Sequence, residues 1–260
     1  MTQHLKHLLR VPEAADNKYT RGVVGFVTGS DAFPGAALLG VQAASRASIG
    51  MIRYVGSSAV ERLVIEARPE VVLGFGKADA WVLGSGVDPA DGPQVANIHT
   101  ALESGANCII DAGALFAIAF ENLPALSAIL TPHAGELARL LDGFGRHYEL
   151  DYEAVQAAAA ITRQVVILKG STSLIAHPSG EVLAVGPNSP ALATAGTGDV
   201  LAGLLGALLA ANPKADLVEI AELGVLLHSE AASRAALLGS VVAMDVVDSL
   251  RSVMLDWSKQ

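Results

Sequence analysis

Short, uniformly apolar runs alternate with longer amphipathic stretches along most of the chain. Val23 to Val27, Met51 to Val55, Trp81 to Gly84, Cys108 to Asp111, Ala128 to Thr131 and Val165 to Lys169 each read as a short strand. Apolar residues at consecutive positions fit strands covered on both faces, as in a parallel sheet between helical layers. The spacing predicts helices from Pro34 to about Ser48 and over Gly135–Leu141, Asp199–Ala211, Leu217–Leu238 and Met244–Trp257. Pro34 stands near a first-turn position, where a missing N–H costs nothing. Ser173–His177 and Glu181–Val185, joined by Pro178-Ser179-Gly180, predict a hairpin. Repeated strand–helix alternation predicts a layered α/β fold. No repeat, low-complexity tract or linker divides the chain, so residues 1–260 are expected to form one domain.

Composition narrows the function. The chain is 52% hydrophobic and only 5% aromatic, which favours close helix–sheet packing over an aromatic-rich β core. A net charge of −9 argues against a nucleic-acid surface, which needs clustered Lys and Arg. One small anionic ligand needs only a few local donors and stays compatible with that charge. Cys108, the single cysteine, sits in an apolar strand and reads as a buried structural thiol. No uncharged run reaches the ~18 apolar residues of a membrane helix. The first residues lack the apolar core of a signal peptide, so the expected location is the cytoplasm.

In a parallel α/β sheet ligands bind beyond the carboxyl ends of the strands, so the loops following strands are the ones to search. The Walker pattern, GxGxxG, GxSxG and HExxH are all absent, and no histidine spacing reads as a metal site. The strongest signal is Ala195-Gly196-Thr197-Gly198-Asp199 ahead of an apolar helix. Glycines turn backbone N–H groups toward a ligand, and the helix adds its positive end, which makes Gly196 to Gly198 an anion hole. Asp199 then has two readings of equal standing: an N-cap, or a base that takes a proton from a hydroxyl attacking phosphorus. Lys169-Gly170-Ser171-Thr172-Ser173 supplies a cation and hydroxyls at a strand end, where a nucleotide phosphate would balance the lysine. In Thr131-Pro132-His133-Ala134-Gly135-Glu136 a rigid loop holds a histidine just before a helix.

Together these stretches resemble the ADP-dependent NAD(P)H-hydrate dehydratases of the ribokinase-like superfamily. Thr28-Gly29-Ser30-Asp31-Ala32-Phe33-Pro34-Gly35-Ala36-Ala37, Asp111-Ala112-Gly113-Ala114-Leu115, Thr131 to Glu136 and Ala195 to Gly203 carry the similarity, in family order. The resemblance implies a three-layer α/β/α fold with a mainly parallel sheet. It implies repair of hydrated NADH and NADPH with ADP as co-substrate, Mg²⁺ as cofactor and AMP and phosphate as products. Lys169 to Ser173 and Gly198 would grip the nucleotide, while Ala36 or Ala37, Gly86, His133 and Asp199 would face the hydrated nicotinamide. Asp199 would be the catalytic base. A homo-oligomer, often a tetramer, and a separate epimerase are implied as partners. Where the family usually shows GPG followed by Leu, this chain reads Gly84-Ser85-Gly86-Val87. Two rivals share the anion hole: a ribokinase-like kinase acting on a vitamin-precursor alcohol, and a nucleotide-binding protein that has lost catalysis.

Overall fold

The computed structural model describes residues 3–120, 127–149 and 151–259. Its strands are β1 (Val23–Val27), β2 (Met51–Tyr54), β3 (Val72–Leu73), β4 (Ala80–Leu83), β5 (Asn107–Ile110), β6 (Ala128–Leu130), β7 (Val165–Leu168), β8 (Ser173–Ala176) and β9 (Val182–Val185). They form one sheet in the order β3-β2-β1-β4-β5-β6-β7-β8-β9. Pairing is parallel from β3 through β7, and the expected hairpin, β8 with β9, adds an antiparallel edge. The helices are α1 (Pro34–Arg46), α2 (Ser58–Ala67), α3 (Gly92–Glu103), α4 (Ala114–Ala117), α5 (Ala134–Gly143), α6 (Tyr152–Thr162), α7 (Thr197–Ala211), α8 (Leu217–Ala236) and α9 (Ala243–Lys259).

Alternation along each strand divides the core between the two faces. Val24, Phe26, Val82, Ile109 and Ile129 pack under α1, α7, α8 and α9. Val27, Trp81, Leu83, Cys108, Ile110 and Leu130 point the other way, toward α3, α5 and α6. The result is three layers, helix–sheet–helix, and both faces of the central strands are buried as their unbroken apolar runs require. Every residue of α7 from Val200 to Ala211 is buried. A helix apolar all round belongs inside, and α7 lies over β1, β4 and β5 with α1 and α8 on its flanks.

Some elements escape a reading by apolar runs. The structure adds α2, α3 and α6, each opened by a short polar cap: Ser57, Asp91 and Asp151 accept from backbone N–H groups of the following turn. It also adds β3, only two residues long and exposed, which forms because β2 offers an unpaired edge. Cys108 is fully buried, and burial pushes its thiol up to about 12. The native protein is therefore expected to resist iodoacetamide at neutral pH and to react once unfolded in urea; rapid native labelling followed by mass spectrometry would contradict that burial.

Candidate active site

The sheet reverses its winding between β1 and β4. The helices after β1 and β2 cover one face and α3, after β4, the other, so the β1 and β4 exit loops part at a crevice. Gly29 N–H donates to the Ser85 carbonyl at 2.7 Å, and Gln94 Nε2 donates to the Gly29 carbonyl at 2.9 Å. These bonds clamp the two loops together. A Cβ added to Gly86 would stand 2.6 Å from that of Ala36, so this loop touches the first turn of α1. Ala36 keeps 8% exposure, whereas Ala37 has none and packs toward Gly29.

The next three loops bring charge together. Asp111, 2% exposed after β5, accepts from Thr131 Oγ1 at 2.8 Å, Ser85 Oγ at 2.8 Å and Lys169 Nζ at 3.0 Å. Lys169 also lies 3.9 Å from Glu136 Oε2. Burial by itself pulls the lysine's proton affinity down, but Asp111, Glu136 and Asp199 more than reverse it and hold the ammonium above the usual lysine range. The anionic partner that a strand-end lysine needs is thus already present within the protein. His133 caps α5: its Nδ1 accepts from Gly135 N–H at 3.0 Å and Glu136 N–H at 3.3 Å, while Glu136 Oε2 accepts from His133 N–H at 2.8 Å. An accepting Nδ1 places the ring proton of the neutral histidine on Nε2, so the exposed edge is a donor.

Helix α7 starts two residues earlier than the apolar run indicates. Gly196, with φ +88°, is its N-cap, and no side chain caps the helix. First-turn N–H groups have no partner inside the helix, so they remain for a ligand. Asp199 stands at the third helical position, and its N-cap reading is set aside. Burial, first, and the negative field of Asp111 push its carboxyl up to about 6, with Glu136 adding to the rise and Lys169 opposing it. A Cβ on Gly198 would lie 3.4 Å from Lys169 Nζ, so the ammonium rests against this turn.

A cavity of about 380 Å³ opens beside that turn, and Lys169, Gly170, Ser171, Ser173, Thr197 and Gly198 form its polar end. Leu192, Ala193, Leu201 and Val225 form an apolar wall, and His228 also lines the cavity. His228 is buried, and burial lowers its imidazole to about 4, so it stays neutral. A second cavity of about 350 Å³ is lined by Ala112, Gly113, His133, Glu136 and Arg139. The two approach each other across the Lys169–Glu136 pair. Of the residues singled out from sequence, Lys169, Gly170, Ser171, Ser173, Thr197 and Gly198 gather on the first cavity and His133 on the second. Thr172, whose hydroxyl packs against Gly186, lines neither, and nor do Ala36, Ala37, Gly86, Gly196 and Asp199. Asp111, Glu136 and Ser85 were missed as site residues, although Asp111 and Glu136 belong to the motifs that marked their loops. His228, inside an amphipathic helix, carries no sequence signal.

Magnesium is tested by the donors. Among the described residues no three metal-ligating side chains converge, and the oxygens of Asp111 already accept from neighbours. Lys169 faces three carboxylates, Asp111, Glu136 and Asp199. A diphosphate entering so acidic a site fits as a salt of a divalent ion, which usually keeps several waters and uses few protein ligands.

Comparisons with known proteins follow the same lines. Residues 24–252 match the family model described as NAD(P)H-hydrate dehydratase. The chain is 36% identical over 244 residues to the bifunctional NAD(P)H-hydrate repair enzyme of Mycobacterium leprae, covering 87% of this chain and 48% of that one. It thus spans about half the length of that curated relative. It is 32% identical over 261 residues to the ADP-dependent (S)-NAD(P)H-hydrate dehydratase of Xanthomonas campestris, covering 87% of this chain and 84% of the relative. The crystal structure of the ADP/ATP-dependent NAD(P)H-hydrate dehydratase of Bacillus subtilis, co-crystallised with ATP and Mg²⁺, superposes with TM-score 0.82 at 27% identity, covering 98% and 96% of the two chains. A ribokinase from Thermotoga maritima, at 15% identity and TM-score 0.60 over 92% of this chain and all of its own, shares the fold alone, which is therefore ribokinase-like. With the family model matched across most of its length, the chain belongs to the NAD(P)H-hydrate dehydratase family.

Proposed function

We propose that this protein, as one domain, dehydrates the (6S)-hydrates of NADH and NADPH at the expense of ADP, releasing AMP and phosphate. The observation that carries the reading is Asp199, a carboxyl raised to about 6, in the uncapped first turn of α7 beside Lys169. Such a group takes protons near neutrality, and the N–H groups and ammonium beside it suit a transferring phosphoryl.

The first cavity accommodates the nucleotide, its phosphates at the Lys169–Gly198 end and its base along the Leu192–Val225 wall. The second cavity and the Ala36–Gly86 contact receive the dihydropyridine, with Ala36, the partly exposed alanine, offering the surface. His133 Nε2–H donates to its amide. Asp199 takes the C6 hydroxyl proton as that oxygen bonds to the terminal phosphorus of ADP and AMP departs with the bonding pair. The ring nitrogen then expels phosphate from C6, and transfer of a C5 proton to the departing phosphate or to water restores the C5–C6 double bond. Bound magnesium, with Glu136 able to hold its waters, would neutralise phosphate charge. The working form in this reading is a cytoplasmic homotetramer, which would cover exposed apolar residues such as Leu237 and Leu238, and a separate epimerase supplies the reactive epimer. Among the described residues no helix is long and apolar enough to cross a membrane.

Incubation with hydrated NADH, Mg²⁺ and either ADP or ATP is expected to restore the NADH absorbance with stoichiometric phosphate release. Failure with both nucleotides sinks the reading. A stable phosphoester in the mass spectrum of an added hydroxymethyl-pyrimidine or thiazole alcohol would move the protein to the small-molecule kinases.

A further inference from the structure

Asp111 is 2% exposed and its oxygens accept from three neighbouring side chains. Thr131 and Lys169 share Oδ1, at 2.8 and 3.0 Å, and Ser85 donates to Oδ2 at 2.8 Å. A carboxylate so enclosed is poorly placed to touch a ligand, so its influence passes through Lys169. Lys169 in turn rests against Gly198, in the turn that carries Asp199. Ser85 adds a donor where a proline, as in the resembling family pattern, has none to offer. We propose that Asp111, braced by Ser85 and Thr131, is a positioning residue that aims the Lys169 ammonium at the first turn of α7 and tunes Asp199 as the base.

This rests on the dehydratase reading above and deepens it. The charged groups facing Asp199 are Asp111 beyond β5, Glu136 on α5 and Lys169 beyond β7. From α8, His228, buried and neutral, reaches Thr197 in the same turn; α1 and α9 bring Leu39 and Ala243 to the Gly196 turn. Removing the charge of Asp111 therefore acts in one direction. It deletes a negative neighbour of Asp199 and leaves the positive field of Lys169 less opposed, so Asp199 binds its proton less tightly and becomes a weaker base. It also makes the phosphate site less acidic.

The test compares wild type with Asp111→Asn across pH, measuring kcat, KM for ADP and kcat/KM. Asparagine keeps an oxygen for Thr131 and Lys169, so the fold is retained. The acidic limb of kcat/KM is expected to move down by about one pH unit and kcat to fall roughly 10-fold, with KM for ADP unchanged or lowered. Lys169→Ala, by contrast, raises KM for ADP. An acidic limb that stays in place, or a KM for ADP that rises as in Lys169→Ala, overturns the proposal. Ser85→Ala provides a second measurement that leaves the charge of Asp111 in place. It strips one donor from Asp111, leaves its field less shielded and shifts the limb upward by a few tenths of a unit; no shift, or a downward one, counts against the proposal. Should wild type turn over with neither ADP nor ATP, the dehydratase reading falls. Asp111 is then judged by the carboxyl-carbon NMR titration of Asp199, whose midpoint must drop in the cooperatively folded Asp111→Asn protein; an unchanged midpoint overturns it.

Discussion

Asp199→Asn is expected to cut turnover by roughly 10²–10⁴-fold, the usual worth of a general base, and to make the protein more stable at neutral pH. The two effects have one cause. Burial and Asp111 hold the folded carboxyl at about 6, against 3.8 as the ordinary value. Between those values the folded protein keeps a proton that the unfolded chain has released, so wild-type stability falls as pH rises through that window. Above about pH 6 the charged carboxylate stays in the fold at a cost. A displacement of this size corresponds to on the order of 2 kcal/mol once partial exposure is allowed for. Asparagine avoids that cost, so the variant's advantage in urea unfolding should be full above pH ~6 and vanish toward pH ~4. The wild-type acidic limb of kcat/KM should lie near pH ~6 in the same experiments. Unchanged turnover in Asp199→Asn would remove it from the base role; a stability gain independent of pH would contradict its raised proton affinity.

Gly203→Ala is expected to destabilise the protein by roughly 2–3 kcal/mol, near the upper end for overpacking by one methyl. A Cβ there would overlap the Gly40 carbonyl and Cα on α1. Backbone cannot rotate aside as a side chain can, so α1 and α7 must separate. At Gly206, by contrast, the obstruction is the Val82 side chain, and alanine should be less damaging. The consequence reaches the site, because α7 carries Gly198 and Asp199 at its head and α1 carries Ala36 in its first turn. Urea unfolding of Gly203→Ala with the same m-value but a lower midpoint, and an activity loss beyond that of Gly206→Ala, is the expected pattern. A wild-type midpoint would show that the helices have room to spare.

How much of this could be read in the chain follows from the range of each signal. β1, β4, β5, β6 and β7 are legible because their unbroken apolar runs encode burial on both faces, and their observed bounds lie within a residue of the apolar stretches. The hairpin is legible because Pro178-Ser179-Gly180 is local turn chemistry. α2, α3 and α6 hide because their amphipathic spacing is short and their announcement is a single polar cap. β3 hides because pairing with a neighbour, not its own two residues, makes it a strand.

The site divides along the same line. The glycine-rich turn, Lys169 and His133 are local patterns with local physical meanings, so the sequence by itself marked the loops proposed here for phosphate chemistry and determined the layered fold that aligns them at one sheet edge. Only the tertiary structure decided what those residues do to one another. Asp199 is not a cap, because the helix begins at Thr197 and leaves it in the first turn. Lys169 is not waiting for its first anion, because Asp111, 58 positions away, already binds it. Ser85 gains a role from a contact across 26 positions of chain. Charge coupling depends on distance and burial in space, and neither is written in the spacing of residues along a chain.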